Sequence, residues 1–192
     1  MRTVVFATHN PGKLKELQAM MPEDIVLKSL DDIGCHDEIE ETEDSFKGNA
    51  LLKAQYVRDN YRLPCFADDS GLTVDALDGA PGVYTARYAG EHGNSDANMD
   101  KLLFELKDKE SRSAQFVCVI ALLDGDSPQF FEGICEGEIL PARQGDGGFG
   151  YDPVFSPKGY SRSFAEMSLD EKAVISHRGK AVKQLIDFLR NS

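Results

Sequence analysis

Apolar residues along the chain follow two rhythms. Residues 3–7 (TVVFA) form a short β-branched run, which predicts a buried strand. The run stops at THNPGK, a turn rich in Asn, Pro and Gly. Leu14, Leu17, Met20 and Met21 then recur at helical spacing. The chain therefore opens strand–loop–helix, with the loop at the carboxyl end of the strand, where ligands gather in α/β sheets. Residues 26–30 predict a second strand. A helix from Phe46 to about Asn60 puts Phe46, Ala50, Ala54 and Val57 on one face. The acidic run DEIEETEDS before it suits a helix N-terminus without any further role.

Residues 64–67 lead as an apolar run into Asp68 and Asp69. Ser95 is placed to cap a helix carrying Met99, Leu102, Leu103 and Leu106. Residues 114–123 (AQFVCVIALL) are almost wholly apolar and predict a central strand buried on both faces. After the turn DGDSP, residues 129–139 return as a long antiparallel partner. The stretch QGDGGFGYDPVF reads as a loop. SLDE has Ser168 and Glu171 in capping-box spacing, and Ser176 precedes a last helix striped by Val182, Leu185, Ile186 and Leu189. The pattern predicts an α/β fold around a mixed sheet. It occupies residues 1–192 as one domain with no linker or repeat.

Composition narrows the function classes. The 192 residues carry 21 Lys and Arg against 33 Asp and Glu, a formal charge of −12. Such a balance disfavours a nucleic-acid polymer as partner, because phosphate backbones select basic faces. A small anion remains possible where local cations or a metal reverse the field. The 4 cysteines show neither CxxC nor zinc-ligand spacing, and Cys65 and Cys118 lie in apolar runs as buried thiols. The first residues turn polar too soon for a signal peptide, and no apolar run is long enough to span a bilayer. A reducing, cytoplasmic setting is expected.

Four stretches carry candidate chemistry. Adjacent strand residues face opposite ways, so Asp68 and Asp69 should not share one task. A rigidly held carboxylate there suits a metal ligand or base, whereas an Asp-rich turn closing a strand is the bland alternative. Glu38, Glu40 and Glu41 offer further oxygen ligands, a donor set that favours Mg²⁺. THNPGK offers free N–H groups and Lys13 to an anion but lacks the P-loop pattern; an ordinary turn with a solvated Lys is the alternative. GDGGFG matches a dinucleotide fingerprint by letter, yet Pro153 blocks the helix that the fingerprint requires. Phe149 and Tyr151 beside it offer faces for stacking a base, or pack in the core. In SHRGK, His177 and Arg178 fall in the first turn of a helix, against its dipole. An anionic or acceptor-rich ligand would reverse that mismatch.

In this order and spacing, THNPGK, ADDSGLTVDALDGAPGVYTARYAG, GDGGFGYDP and SHRGKA resemble the inosine triphosphate pyrophosphatase family over essentially the whole chain. Asp146 stands where the family commonly has Thr. The resemblance implies an elongated two-lobed fold around a long mixed sheet, with a central nucleotide cleft. It also implies a homodimer, Mg²⁺, and hydrolysis of ITP, dITP and XTP to the monophosphate and pyrophosphate. Carried over by motif, Thr8, His9, Asn10, Pro11, Gly12 and Lys13 would bind the phosphates. Asp69 would ligate the metal and accept the proton, with Glu40 as second ligand and Glu41 as the alternative. Ser70 would contact substrate, Phe149, Gly150, Tyr151 and Asp152 would surround the base, and Lys172, His177 and Arg178 would complete the site. Lys53 is a weaker candidate for balancing phosphate charge. Donors such as His177 or Arg178 would favour the C6 oxygen of hypoxanthine over adenine's amino group. Competing expectations are a septum-related pyrophosphatase for modified nucleotides and a non-catalytic nucleotide-binding module.

Overall fold

A computed structural model describes residues 1–191. The elements run β1 (Arg2–Phe6), α1 (Pro11–Met20), β2 (Ile25–Lys28), α2 (Phe46–Tyr61), β3 (Cys65–Val74), α3 (Ser95–Glu105), β4 (Ser113–Leu123), β5 (Gln129–Ile139), β6 (Phe155–Pro157), α4 (Leu169–Ile175) and α5 (His177–Asn191). Short 3-10 turns fill several connections, including Gly82–Arg87 and Phe164–Glu166. One six-stranded sheet has the order β2-β1-β3-β4-β5-β6. β1 pairs in parallel with both β2 and β3, while β5 and β6 are antiparallel, so the expected mixed sheet is present.

Two compact units share the chain. Met1–Asp69, Cys118–Gly133 and Arg178–Ser192 form the first; Ser70–Val117 and Ile134–His177 form the second. In the first unit, both faces of the sheet are covered. Val4, Phe6, Phe66, Cys118, Ile120 and Leu122 pack with Leu17 of α1 and with Ala181, Val182, Leu185 and Leu189 of α5. Phe6 and Phe66 stack at 4.8 Å between ring centroids. On the opposite face, Val5, Cys65, Ala67 and Ala121 pack with Ala50, Ala54 and Val57 of α2. Two-sided burial explains why these strands read as unbroken apolar runs. The second unit has its own core, in which Leu72, Val74, Phe116, Val154, Phe155 and Phe164 pack with Met99, Leu102 and Leu106 of α3. Each fully buried Leu or Phe contributes roughly 1.5–3 kcal/mol, so these clusters rather than helix propensity hold α3 and α5.

Local chemistry sets the ends. Asn10 caps α1 by accepting the Lys13 N–H at 3.1 Å, and Pro11 opens the helix, where its missing N–H costs nothing. Ser45 caps α2 through the Gly48 N–H, and α2 ends in a left-handed Arg62 with Pro64 just beyond. The capping box at Ser168 and Glu171 forms as expected. Three readings change. Asn94, not Ser95, caps α3 through the Ala97 N–H. Phe155, read as the end of a loop, begins β6. The third change matters most: β3 does not end at Asp68 and Asp69 but runs through them to Val74, so neither belongs to a turn.

Candidate active site

In the first unit, β3 sets the geometry by alternation. Asp68 follows Phe66 on the face covered by α1 and α5, and Asp69 follows Ala67 on the face covered by α2. Asp68 Oδ1 accepts from Lys13 Nζ at 3.0 Å, and its Oδ2 accepts from Arg178 Nε at 3.2 Å. Arg178 also donates from Nη1 to Glu16 Oε2 at 2.5 Å. Burial opposes the charge on Asp68, but Lys13, Arg178 and Lys53 outweigh it and hold the carboxyl well below the usual range. Asp68 is therefore a fixed anion that anchors cations.

Asp69 behaves in the opposite sense. It is 4% exposed, and Asn49 Nδ2 of α2 donates to its Oδ2 at 3.1 Å. Burial pushes its pKa up, and the nearby Glu41 carboxylate pushes the same way; Lys53, Lys13 and Asn49 compensate only in part. Lys53 forms an ion pair with Glu41 and is held cationic against burial by Glu41, Asp69 and Asp68. A strand residue thus fixes a carboxylate of raised pKa near a buried ammonium.

The remaining phosphate-side candidates lie on the β1–α1 loop. Thr8 Oγ1 accepts from the Asn10 N–H at 3.2 Å, and His9 Nε2 lies 2.9 Å from the Asp37 carbonyl. Pro11 and Gly12 form the first turn of α1. Lys13, which the bland reading left solvated, is mostly covered and paired. Among the acids before α2, Glu41 is half-buried against Lys53, whereas Glu40 is exposed and makes no ion pair or side-chain hydrogen bond among the described residues. The same residues contain no group of three His, Cys, Asp or Glu side chains in metal-binding proximity. Magnesium needs no such group: one or two carboxylates commonly hold it together with phosphate oxygens and waters. A buried carboxylate with a like-charged neighbour fits that requirement.

The second unit gathers the aromatic candidates. Ser70 continues β3 directly after Asp69. Lys172 Nζ donates to Asp152 Oδ2 at 2.6 Å with both side chains buried, and it also lies 4.9 Å from the Phe149 ring centroid. Asp152 accepts the Phe149 N–H at 3.0 Å, and Gly150 takes a left-handed φ of 62° between them. Tyr151 is buried in the core with its hydroxyl donating to the Thr85 carbonyl at 2.9 Å, while Phe149 is half-exposed. His177 is buried and stacks on Phe116 at 4.6 Å with a 12° interplanar angle. Arg178 lies in the first turn of the last helix as expected, and the carboxylates of Glu16 and Asp68 offset its unfavourable place in the dipole.

Sequence reasoning passed over Glu16 and Asn49 and ranked Lys53 low. A signal was available: Asn49 and Lys53 stand three and seven residues after Phe46, on the same stripe as Ala50, Ala54 and Val57. A polar residue on an apolar stripe must find a partner when buried. Glu16 beside Leu17 on α1 is the same case; both are buried.

A buried carboxylate of raised pKa and two lysines, near a βα loop at the end of β1, define an α/β protein equipped to handle a polyanion. The Ham1 family model matches residues 4–188, and the chain belongs to the Ham1 family. A dITP/XTP pyrophosphatase of Flavobacterium psychrophilum is 54% identical over 188 residues, covering 98% of this chain and 99% of that protein. A dITP/XTP pyrophosphatase of Porphyromonas gingivalis is 54% identical over 190 residues, covering 98% of each. The solved structure of a HAM1 protein from Coxiella burnetii superposes with a TM-score of 0.91 at 39% identity, covering 100% of both chains. The expected family and α/β fold are thereby borne out.

Proposed function

We propose that this protein hydrolyses non-standard purine nucleoside triphosphates, dITP, ITP and XTP, between the α- and β-phosphates to give the monophosphate and pyrophosphate. The observation that carries the chemistry is Asp69: buried in mid-strand, with its pKa raised by burial and Glu41, and oriented by Asn49. Full-length similarity to proteins named dITP/XTP pyrophosphatase supports the substrate class.

Water attacks the α-phosphorus in line, and negative charge grows on the departing pyrophosphate. Asp69 accepts the proton of the attacking water; its raised pKa makes it a better base at neutral pH. Lys13 and Lys53 supply positive charge to the triphosphate, and Asp68 with Arg178 fixes the Lys13 ammonium. Thr8, His9, Asn10, Pro11 and Gly12 line the phosphate loop. Asp69 and one acid of residues 38–41 would hold magnesium, which when bound adds positive charge against the phosphates. The ion pair of Glu41 with Lys53 and its influence on Asp69 favour Glu41 over the exposed Glu40. Phe149 would stack on the purine, with Ser70, Gly150, Tyr151, Asp152, Lys172 and His177 around the nucleotide. A homodimer rests on the resemblance alone, and a cytoplasmic location on the cysteine pattern and the early polar residues; no described helix is long and apolar enough to cross a membrane.

The test is a panel of ITP, dITP, XTP, ATP and GTP with magnesium, read for pyrophosphate and inorganic phosphate separately. Pyrophosphate release should favour ITP over ATP in kcat/KM by about 10²-fold or more, as expected for a site that reads a hydrogen-bonding group. Equal rates on ITP, ATP and GTP would remove the proposed selectivity, and direct release of inorganic phosphate would remove the proposed bond.

A further inference from the structure

Residues 163–166 lie outside every motif behind the functional reading, yet the loop that ends in Phe149 is built on them. Ser163 is 0% exposed. Its Oγ donates to the Gln144 carbonyl at 2.5 Å, and its N–H donates to the Glu166 carboxylate at 2.8 Å, which closes the turn on itself. Next along, the Ala165 carbonyl accepts the Gly147 N–H at 3.2 Å. The approach leaves no room for a side chain: a Cβ on Gly147 would lie 2.6 Å from the Ala165 oxygen, and one on Gly145 would lie 2.9 Å from the Ala165 carbonyl carbon. At the far end the Phe149 N–H is held by Asp152. An exposed, glycine-rich segment that would otherwise sample many conformations is thus anchored at Gln144, Gly147 and Phe149.

The seat itself is packed into the core. Phe164 is buried, lies 6.0 Å from Phe116 in a stacked pair, and lies 5.1 Å from Phe155. Phe116 in turn stacks on His177. An aromatic column within the second unit therefore joins the turn at residues 163–166 to His177.

We infer that Ser163 is a positioning residue for base recognition: by holding Gln144 and the turn under the glycine loop, it fixes Phe149 in a stacking position without touching the nucleotide. This rests on the proposed function. Ordering the loop before substrate arrives lowers the entropic cost of binding, so loss of the anchor acts on affinity and base choice while proton transfer at Asp69 is untouched.

Ser163→Ala and Glu166→Ala are to be compared with wild type in the ITP and ATP assays and by amide hydrogen exchange without nucleotide. Ser163→Ala should raise KM for ITP about tenfold, on the scale of one buried hydrogen bond, with kcat held within about twofold. The preference for ITP over ATP should fall, and exchange at Gly147 and Phe149 should quicken. Glu166 is exposed, so its substitution tests the same effect, at about threefold in KM, should Ser163→Ala fail to fold. Wild type that releases no pyrophosphate from ITP would remove the proposed function and this role with it. An active wild type with unchanged KM in a folded variant, whatever its Tm, would overturn the inference alone.

Discussion

Arg178 Nε meets Asp68 Oδ2 at 3.2 Å in surroundings that leave the two side chains only 2% and 1% exposed. Lys13 occupies the other oxygen of the same carboxylate at 3.0 Å. Residues from α1, β3 and α5, remote in sequence, thus share one buried ionic cluster. Removing one partner of such a cluster strands charge in a place without water, which costs more than the pair itself contributes. Asp68→Ala should lower stability by about 3–5 kcal/mol, measured by urea unfolding at neutral pH. The same cluster sets an acid limit. Because the folded pKa of Asp68 is depressed, its contribution is present above its unfolded value of about 3.9 and is lost as pH falls below that. Tm should drop between about pH 4 and pH 2, and the drop should be shallower in Asp68→Asn if that variant folds.

Asp69 predicts the contrary phenotype. In the proposed role its carboxylate serves the chemistry rather than the fold, because burial and Glu41 both disfavour its charge. Asp69→Asn keeps the shape and relieves that repulsion. It should lower kcat by at least about 10²-fold, leaving Tm equal to or above that of wild type. A stable variant with more than a tenth of wild-type turnover, in pyrophosphate release from ITP, would exclude Asp69 as the base.

Gly148 tests the join between the glycine loop and Asp152. It holds φ at +70°, and a Cβ there would lie 2.0 Å from Asp152 Oδ2. Either the loop or the Asp152 carboxylate must move, and Asp152 carries both Lys172 and the Phe149 N–H. Gly148→Ala should destabilise by about 1–3 kcal/mol, seen as a lower Tm, and should raise KM for ITP more than it lowers kcat.

The 4 cysteines are free and buried. Burial pushes the Cys65 thiol up to about 12, and it donates to the Ala54 carbonyl at 3.2 Å. Cys118 is pushed up as well, again chiefly by burial. Raised thiol pKa values stabilise the fold below the unfolded value of about 8.5, and that contribution is lost as pH rises above it. Unfolding free energy should therefore decline from about pH 8.5 upward, less steeply in Cys65→Ala. Native protein should react slowly with a thiol reagent at pH 8, and all four groups should react at once in denaturant.

Much of the fold was legible because its elements carry local signals. The run at residues 114–123 became β4, the stripe of Val182, Leu185 and Leu189 became the buried face of α5, and Ser168 with Glu171 formed the capping box. Asp68 and Asp69 misled the reading of β3, because carboxylates mark turns when water is near and strands when cations wait on both faces. Nothing within a few residues of position 68 reveals Lys13 or Arg178.

The sequence by itself determined most of the helices and strands, the family, and the residue types able to carry the reaction. Periodicity, caps and breakers act over a single turn of helix or a few strand residues, so they can be read without coordinates. The tertiary structure alone decided that Lys13 and Arg178 hold Asp68 as an anion while burial and Glu41 raise the pKa of Asp69, that Glu41 rather than Glu40 faces Lys53, and that Arg178 is locked between Glu16 and Asp68. Two neighbouring aspartates are chemically identical in the unfolded chain. Their difference arises from burial and from charges brought within a few ångströms by distant parts of the chain, and electrostatic energy depends on that distance and on the exclusion of water, not on order in the sequence.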